Sequence, residues 1–113
     1  MGAPSAGAVV LVRFPFSDLS QTKLRPAVVL AEAGRGDWIL CQVTSKSYGD
    51  VGAIKLENVY FATGSLRVTS YARPGKLFTA NRELIVGDVA KLKPKPFSEI
   101  VDAVVSLLRA GKS

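Results

Sequence analysis

The sequence predicts a small, mainly β fold, in which a strongly bent antiparallel β-barrel carries one C-terminal helix. Apolar, β-branched runs of strand length recur along the chain, and the connections between them are too short for crossover helices. Near the C-terminus the apolar residues change to a helical spacing. The chain has 113 residues, which suits one domain with one core.

The first three predicted strands form an antiparallel meander. They cover residues 9–14, 26–31 and 38–43. The second and third are apolar on both faces, which is typical of central strands, and Pro26 can stand only at the first position of its strand. A polar loop at 17–24 connects the first two strands, and a turn with two glycines at 34–37 connects the second to the third.

The later strands are predicted to be shorter. We expect them at 53–56, 66–71, 76–79 and 89–92, following a polar loop at 44–52. The 66–71 segment alternates apolar and polar residues, which predicts a half-buried strand. The Pro74-Gly75 pair is expected to interrupt the chain before the next strand, and residues 81–85 are expected to form one helical turn.

The C-terminal segment predicts an amphipathic helix at about residues 97–109. Its apolar side chains recur every three or four residues, at Phe97, Ile100, Val101, Val104, Val105 and Leu108. Pro96 suits the first turn and Gly111 suits the end of the helix. We expect the helix to pack on the sheet and to bury Ile100, Val104 and Leu108.

The chain is expected to divide into a flexible N-terminal tail at residues 1–6 and a single barrel domain at residues 7–113. The tail has neither a basic segment nor a long apolar segment of the kind that signal peptides carry. No apolar run approaches the ~18 residues that a bilayer-spanning helix needs. We therefore expect a cytoplasmic protein with no membrane association, and the single cysteine agrees with a reducing compartment.

The composition excludes several kinds of active site. The chain contains no histidine and one cysteine, Cys41, which removes Ser-His-Asp and Cys-His nucleophilic sites, histidine-ligated metal sites and any disulfide within the chain. Cys41 lies inside a predicted strand, where a buried structural thiol is expected. The carboxylates are scattered and show no metal-ligand spacing. We therefore predict neither a metal nor a cofactor.

The charge balance indicates an anionic partner. Fifteen Lys and Arg against nine Asp and Glu give a formal net charge of +6. A small basic domain is attracted to nucleic acid through neutralisation of phosphates. The alternative is that the excess charge serves only solubility.

Arg25 and Thr44 are the first candidates for chemistry. Arg25 lies between a polar loop and a stiff apolar strand, with Lys23 beside it, and Thr44 and Ser45 end the next strand. If these two strands pair through the turn at 34–37, Arg25 and Thr44 meet at one end of the sheet. A guanidinium beside a hydroxyl can hold a phosphate group. The alternative is that Arg25 caps a loop carbonyl and Thr44 belongs to a turn.

A second basic group lies further along the chain. It consists of Arg67, Arg73 and Lys76, with Tyr71 between them and Ser70 nearby. Positive charge combined with an aromatic ring is what binding of single-stranded RNA requires. A solvated strand edge explains the same residues almost equally well.

Several segments together resemble the MazF/PemK toxin family. The chain begins its first strand with Gly-Ala-Val-Val-Leu-Val-Arg-Phe at 7–14 and its second with Arg-Pro-Ala-Val-Val-Leu at 25–30, and it ends its third with Val-Thr-Ser-Lys at 43–46. Weaker similarity follows at 64–66, 70–73 and 87–92 and in the terminal helix. The resemblance covers roughly residues 7–109, and the 25–30 block followed by Thr-Ser is its most specific part.

The resemblance implies the toxin of a type II toxin–antitoxin pair. Members are SH3-like barrels, usually homodimers, that cut single-stranded RNA at short sequences without a metal. The 2′-hydroxyl attacks the adjacent phosphorus and leaves a 2′,3′-cyclic phosphate and a 5′-hydroxyl end. A cognate antitoxin blocks the site with an extended C-terminal segment.

Residue by residue, the resemblance makes Arg25 the catalytic arginine and Thr44 the catalytic threonine. It also makes Arg73 an RNA contact, and we expect Lys23, Ser45, Tyr71 and Lys76 to join it in binding the substrate. Ser20 stands where some members have a functional glutamate, and the histidine of the Kid branch is missing. Asp18, the one carboxylate of that loop, is then the candidate general base.

Two other functions remain open on the sequence. An SH3-like barrel can bind nucleic acid or protein without cutting it. A toxin with the same fold can inhibit a protein target instead of RNA. The Arg25–Thr44 pair favours the nuclease, whereas the missing loop glutamate and histidine favour a binding module.

Overall fold

The protein is mainly β with one helix at its C-terminal end. The computed structural model describes residues 4–15, 22–46 and 50–111. Within them the elements are β1 (Ala8–Pro15), β2 (Thr22–Gly34), β3 (Asp37–Thr44), β4 (Ile54–Lys55), β5 (Phe61–Gly64), β6 (Tyr71–Asn81), β7 (Ile85–Leu92) and α1 (Pro94–Ala110). Two 3₁₀ turns, Asn58–Tyr60 and Arg82–Leu84, complete these elements, and the second confirms the helical turn predicted at 81–85.

The seven strands found within the described residues form one curled antiparallel sheet, a half-barrel. Their order across the sheet is β4-β6-β3-β2-β1-β7-β5, and each pairing is antiparallel. The predicted meander is confirmed, because β1 pairs with β2 and β2 pairs with β3. Arg35 and Gly36 form the turn between β2 and β3, both with positive φ, which closes the hairpin in two residues.

The later strands depart from the prediction. Residues 66–70 do not form a strand, although their alternation predicted one, and β6 begins only at Tyr71. β6 then continues through Pro74-Gly75, where an interruption was expected. The short strand β5 was not predicted, because its residues show no strand-like alternation, and it pairs with β7 at the edge of the sheet.

The helix is longer than the predicted 97–109 and buries less of its last turn. It begins at Pro94, because the first-turn N–H groups have no acceptor within a helix and proline is tolerated there. Ile100 and Val104 are buried as predicted, whereas Leu108 is 66% exposed, which corrects its assignment to the core. The helix ends at Gly111 in the left-handed conformation, as the sequence predicted.

The described residues form a core on each face of the sheet. Val9 and Val10 are neighbours in β1 and point to opposite faces. Val9 packs in the helix-side core with Val28, Cys41, Val43, Leu56, Phe61, Ala72, Ala90, Leu92 and Ile100. Val10 packs in the second core with Ala8, Val12, Ala27, Val29, Leu40, Ala80 and Ile85. The central strands are therefore apolar on both faces, as the sequence indicated.

The N-terminal residues that the structure describes approach β7. The Lys91 ammonium donates to the Ser5 hydroxyl at 2.9 Å and to the Ala6 carbonyl at 2.7 Å. Residues 1–3 lie outside the described residues, so a flexible tail at 1–6 and a domain at 7–113 stay predictions. Among the described residues no helix has the length and apolar character that crossing a membrane requires.

Candidate active site

An open cleft lies at the end of the sheet where β2 begins and β3 ends. Its volume is about 340 Å³. Four of the predicted site residues, Lys23, Arg25, Thr44 and Ser45, line this cleft together. The remaining lining residues are Leu24, Pro26, Val43, Leu66, Arg67, Val68 and Ser70.

The central strands bring Arg25 and Thr44 to one cleft. The pairing of β2 with β3 ends at Ala27 and Gln42. Arg25 and Thr44 lie two residues beyond this last pair, and both line the cleft. Arg25 itself pairs with Val12 of β1, which is fully buried. The backbone of Arg25 is thus fixed by the centre of the sheet, while its side chain is exposed in the cleft.

Thr44 is held on its other side by β6 and by its own turn. It pairs with Tyr71, the first residue of β6. The Thr44 hydroxyl oxygen accepts the backbone N–H of Lys46 at 3.1 Å. A hydroxyl that accepts one hydrogen bond can still donate its own hydrogen. The turn that follows β3 therefore holds the Thr44 hydroxyl oxygen in place at the cleft, and its hydrogen remains available to a ligand.

The opposite wall of the cleft comes from the segment between β5 and β6. Ser70 is buried there, and its hydroxyl donates to the Val68 carbonyl at 2.9 Å. The Ser70 carbonyl in turn accepts the Leu56 N–H at 2.8 Å, which ties the segment to the residue directly after β4. These contacts hold Arg67 at the cleft with an exposed side chain. The sequence placed Arg67 in the second basic group but gave it no role in this site, because the segment was predicted as a strand.

The cleft is suited to an anion. Among the described residues its lining carries three cationic side chains, those of Lys23, Arg25 and Arg67. The hydroxyls of Thr44 and Ser45 add donors, and none of the described lining residues is a carboxylate. Such a surface attracts phosphate electrostatically and can hydrogen-bond its oxygens.

Arg73, Lys76 and Tyr71, the rest of the second basic group, do not line this cleft. The Arg73 guanidinium instead donates from Nε to the Asp50 carboxylate at 2.9 Å. This hydrogen bond is the main cause that holds the pKa of Asp50 below its usual value, and the Gly52 N–H and the charge of Lys76 act in the same direction. Tyr71 is a sheet neighbour of Thr44 but belongs to neither wall. The predicted substrate contacts at Tyr71, Arg73 and Lys76 thus lie outside the cleft itself.

Two further predictions concern the general base and the metal. Asp18, the candidate general base, lies outside the described residues. Within the ranges that the structure does describe, no three His, Cys, Asp or Glu side chains come close enough to hold a metal ion.

Solved structures with the same fold are toxins and their complexes. The chain superimposes on the MazE–MazF complex from Deinococcus radiodurans with a TM-score of 0.76 at 23% identity, covering 100% of both chains. An endoribonuclease in complex with its cognate antitoxin from a mycobacterial species gives a TM-score of 0.71 at 14% identity, covering 96% of this chain and 95% of that one. The Mycobacterium tuberculosis toxin MazF-mt6 gives 0.70 at 11% identity, covering 90% and 96%. At these identities the likeness shows a shared fold.

Family membership is shown by the sequence itself. No curated protein matches the chain closely enough to count as a relative. The model of one family, however, matches residues 5–108, which is nearly the whole chain and both walls of the cleft. The chain therefore belongs to the PemK-like, MazF-like toxin family of type II toxin–antitoxin systems.

Proposed function

We propose that this toxin is a metal-independent, sequence-specific endoribonuclease that cleaves single-stranded RNA, including mRNA, to 2′,3′-cyclic phosphate and 5′-hydroxyl ends. The observation that carries the proposal is that Arg25 and Thr44 line the same basic cleft, whose described lining contains no carboxylate. A phosphodiester seated there has a guanidinium and a hydroxyl within reach of the same phosphate. Lys23 and Arg67 can hold the phosphates on either side.

The reaction needs a stabilised phosphorane more than it needs a metal. The ribose 2′-oxygen loses its proton to a base and attacks phosphorus, and the bond from phosphorus to the 5′-oxygen breaks as that oxygen gains a proton. Arg25 stabilises the extra negative charge with its planar donors, and Thr44 donates to a non-bridging oxygen. Asp18 is our candidate for the base. Ser45 lies directly after Thr44, where its hydroxyl supports substrate binding.

The partners follow from the same proposal. We propose a cytoplasmic homodimer that is inhibited by a cognate antitoxin. Solved toxins of this fold occur in complexes with MazE or with a cognate antitoxin, and a basic cleft suits an antitoxin segment rich in carboxylates.

The homodimer is tested by sedimentation. At micromolar concentration it should give about 24 kDa, twice the chain mass, as two-fold association requires. A monomer throughout that range would contradict the dimer.

The deciding experiment is an RNA cleavage assay with purified protein. Labelled single-stranded RNA is incubated with the wild type and with Arg25→Ala, with and without EDTA, and the new ends are identified chemically. We expect cutting that survives EDTA, cyclic phosphate ends and no cutting by the variant. If the wild type binds RNA but never cuts it, the protein is a binding module. If the wild type does not bind RNA at all, the result favours the alternative that this toxin inhibits a protein target.

A further inference from the structure

A partly buried ion pair ties Asp50 to the strand β6. The Arg73 Nε and the Asp50 Oδ2 are 2.9 Å apart, and the two side chains are only 21% and 25% exposed. The second carboxylate oxygen of Asp50 accepts the Gly52 N–H at 3.0 Å, and the Asp50 carbonyl accepts the Ala53 N–H at 3.1 Å. Asp50 thus fixes a backbone turn and a distant guanidinium at the same time.

This pair stands at one end of the segment that begins with Thr44. Asp50 follows Thr44 by six positions in the sequence. At the Thr44 end the chain is fixed by pairing with Tyr71 and by the Lys46 N–H bond to the Thr44 hydroxyl. At the Asp50 end it is fixed by Arg73, so that both ends are attached to β6.

The backbone of Arg73 is itself held by a hydrogen bond from the neighbouring strand β3. It lies where β6 loses register with β3, and its carbonyl accepts a hydrogen bond from the Cys41 thiol at 3.2 Å. Its guanidinium therefore projects from a fixed backbone towards Asp50. The Arg73 side chain also holds the pKa of the Asp50 carboxyl below its usual value, so the carboxylate stays charged and the pair persists at neutral pH.

We propose that Asp50 and Arg73 form a positioning pair, which attaches residues 50–53 to β6 two positions from Tyr71, the strand partner of Thr44, and so holds the Thr44 turn in place, while Arg67 makes the phosphate contact that the family resemblance assigned to Arg73. The part of this proposal that concerns the cleavage rate rests on the proposed RNA cleavage. Arg73 shares its charge with a carboxylate at 2.9 Å and so has little left to neutralise a phosphate, whereas Arg67 lines the cleft.

The test compares Asp50→Asn, Arg73→Gln and the double variant with Arg67→Gln. Each variant is measured for its single-turnover cleavage rate and for its affinity for a 2′-deoxy version of the RNA, which cannot be cut, across a range of salt. We expect each positioning variant to slow cleavage about tenfold, as small displacements of a reacting group do. The double variant should be no slower than either single one, because the two residues act as a unit.

Binding separates the two roles. We expect Arg67→Gln to lower the salt dependence of RNA affinity by about one phosphate contact. Asp50→Asn and Arg73→Gln should leave that dependence unchanged. Tighter binding and a steeper salt dependence in Asp50→Asn would overturn the proposal, because Arg73 would then be an RNA contact that Asp50 screens. Arg73→Lys, which can keep the ion pair, should restore part of the cleavage rate.

A readout that needs no RNA keeps the proposal testable if the wild type proves inactive. Amide hydrogen exchange is followed at Lys46 and Gly52, whose N–H groups bond to Thr44 and Asp50. In Asp50→Asn and in Arg73→Gln both amides should exchange faster, while the melting temperature confirms that each variant folds. Unchanged exchange at Lys46 in both variants would refute the pair. Inactive wild type with faster exchange in the variants would refute the proposed cleavage alone.

Discussion

The Cys41 thiol donates a hydrogen bond to the Arg73 carbonyl at 3.2 Å, across a bulge between β3 and β6. Cys41 pairs with Leu77 and Val43 pairs with Ala72, so residues 73–76 of β6 stand opposite a single residue of β3. A bulge leaves some backbone groups without ladder partners. Here a buried side chain from the neighbouring strand supplies the donor for one of them.

Cys41 should make the free energy of unfolding fall at high pH. Burial raises the pKa of the thiol from 9.0 to about 11, although the bond to the Arg73 carbonyl acts in the opposite direction. As pH rises, the thiol of the folded protein keeps its proton to a higher pH than the thiol of the unfolded chain does. The contribution of this thiol to the free energy of unfolding is therefore complete below pH 9 and is lost as pH rises towards about 11.

The measurement is denaturant unfolding of the wild type and of Cys41→Ala on both sides of that window. The free energy of unfolding of the alanine variant should lack this part of the decline with pH, whereas any other part of the decline should be the same in both proteins. The same thiol should resist alkylation in the folded protein at neutral pH. Rapid alkylation without unfolding would contradict its buried position.

The bulge also shows what local sequence can and cannot predict. Pairing with β3 does stop around Pro74-Gly75, since proline lacks the N–H that a ladder needs, although the strand itself continues. The sequence does not show that β3 continues alongside and that β6 resumes its pairing with it. That outcome depends on contacts between residues more than thirty positions apart, such as Cys41 and Arg73.

Gly64 should be far less replaceable than Gly34, although both have positive φ. A Cβ at Gly64 would collide with the Val89 carbonyl and approach the Ala90 Cα to 2.9 Å, because β5 packs tightly on β7. A Cβ at Gly34 meets nothing within 4 Å. Gly34→Ala should cost about 1–2 kcal/mol of backbone strain, and Gly64→Ala about 1–3 kcal/mol more for the collision. Equal denaturation midpoints for the two variants would contradict this packing.

The helix offers a matched pair of variants that separates core from surface. Ile100 is fully buried against the helix-side core, whereas Leu108 lies on the exposed last turn. Ile100→Ala should lower the free energy of unfolding by about 2–5 kcal/mol, and Leu108→Ala should change it by less than about 0.5 kcal/mol. Val104→Asp should unfold or aggregate the protein, since a buried unpaired charge is costly. A Val104→Asp protein with wild-type melting temperature would refute this position of the helix.

The periodicity that predicted the helix does not show where the sheet beneath it ends. Leu108 continues the apolar spacing of Ile100 and Val104, yet no described strand covers it.

The candidate site also has a part that the sequence predicts and a part that it does not. Arg25 and Thr44 could be placed at the same end of the sheet because one short hairpin joins their strands, although the register also shifts twice along that hairpin. Asp50 and Arg67 could not, because their positions depend on how connections fold back on the sheet.

Arg25 and Thr44 should differ in which substitutions they tolerate. The planar guanidinium of Arg25 can donate to two phosphate oxygens at once, which the ammonium of lysine cannot do. Removing such a donor typically slows a reaction by about 10²–10³-fold. Arg25→Lys should therefore fail nearly as badly as Arg25→Ala. Thr44→Ser keeps the hydroxyl that bonds to the Lys46 N–H and should keep much of the activity, whereas Thr44→Val should not.

The measurement is single-turnover cleavage of a labelled single-stranded RNA by the wild type and these four variants, each first shown to melt like the wild type. The control is the affinity of each variant for the 2′-deoxy RNA, which cannot be cut. A variant that only binds RNA more weakly would still cut at the wild-type rate once enough RNA is present to saturate it. Both residues contact the phosphate at which charge develops, so we expect the main loss in the rate. Arg25→Ala that cuts as fast as wild type, or Thr44→Val as fast as Thr44→Ser, would refute the roles assigned to this pair.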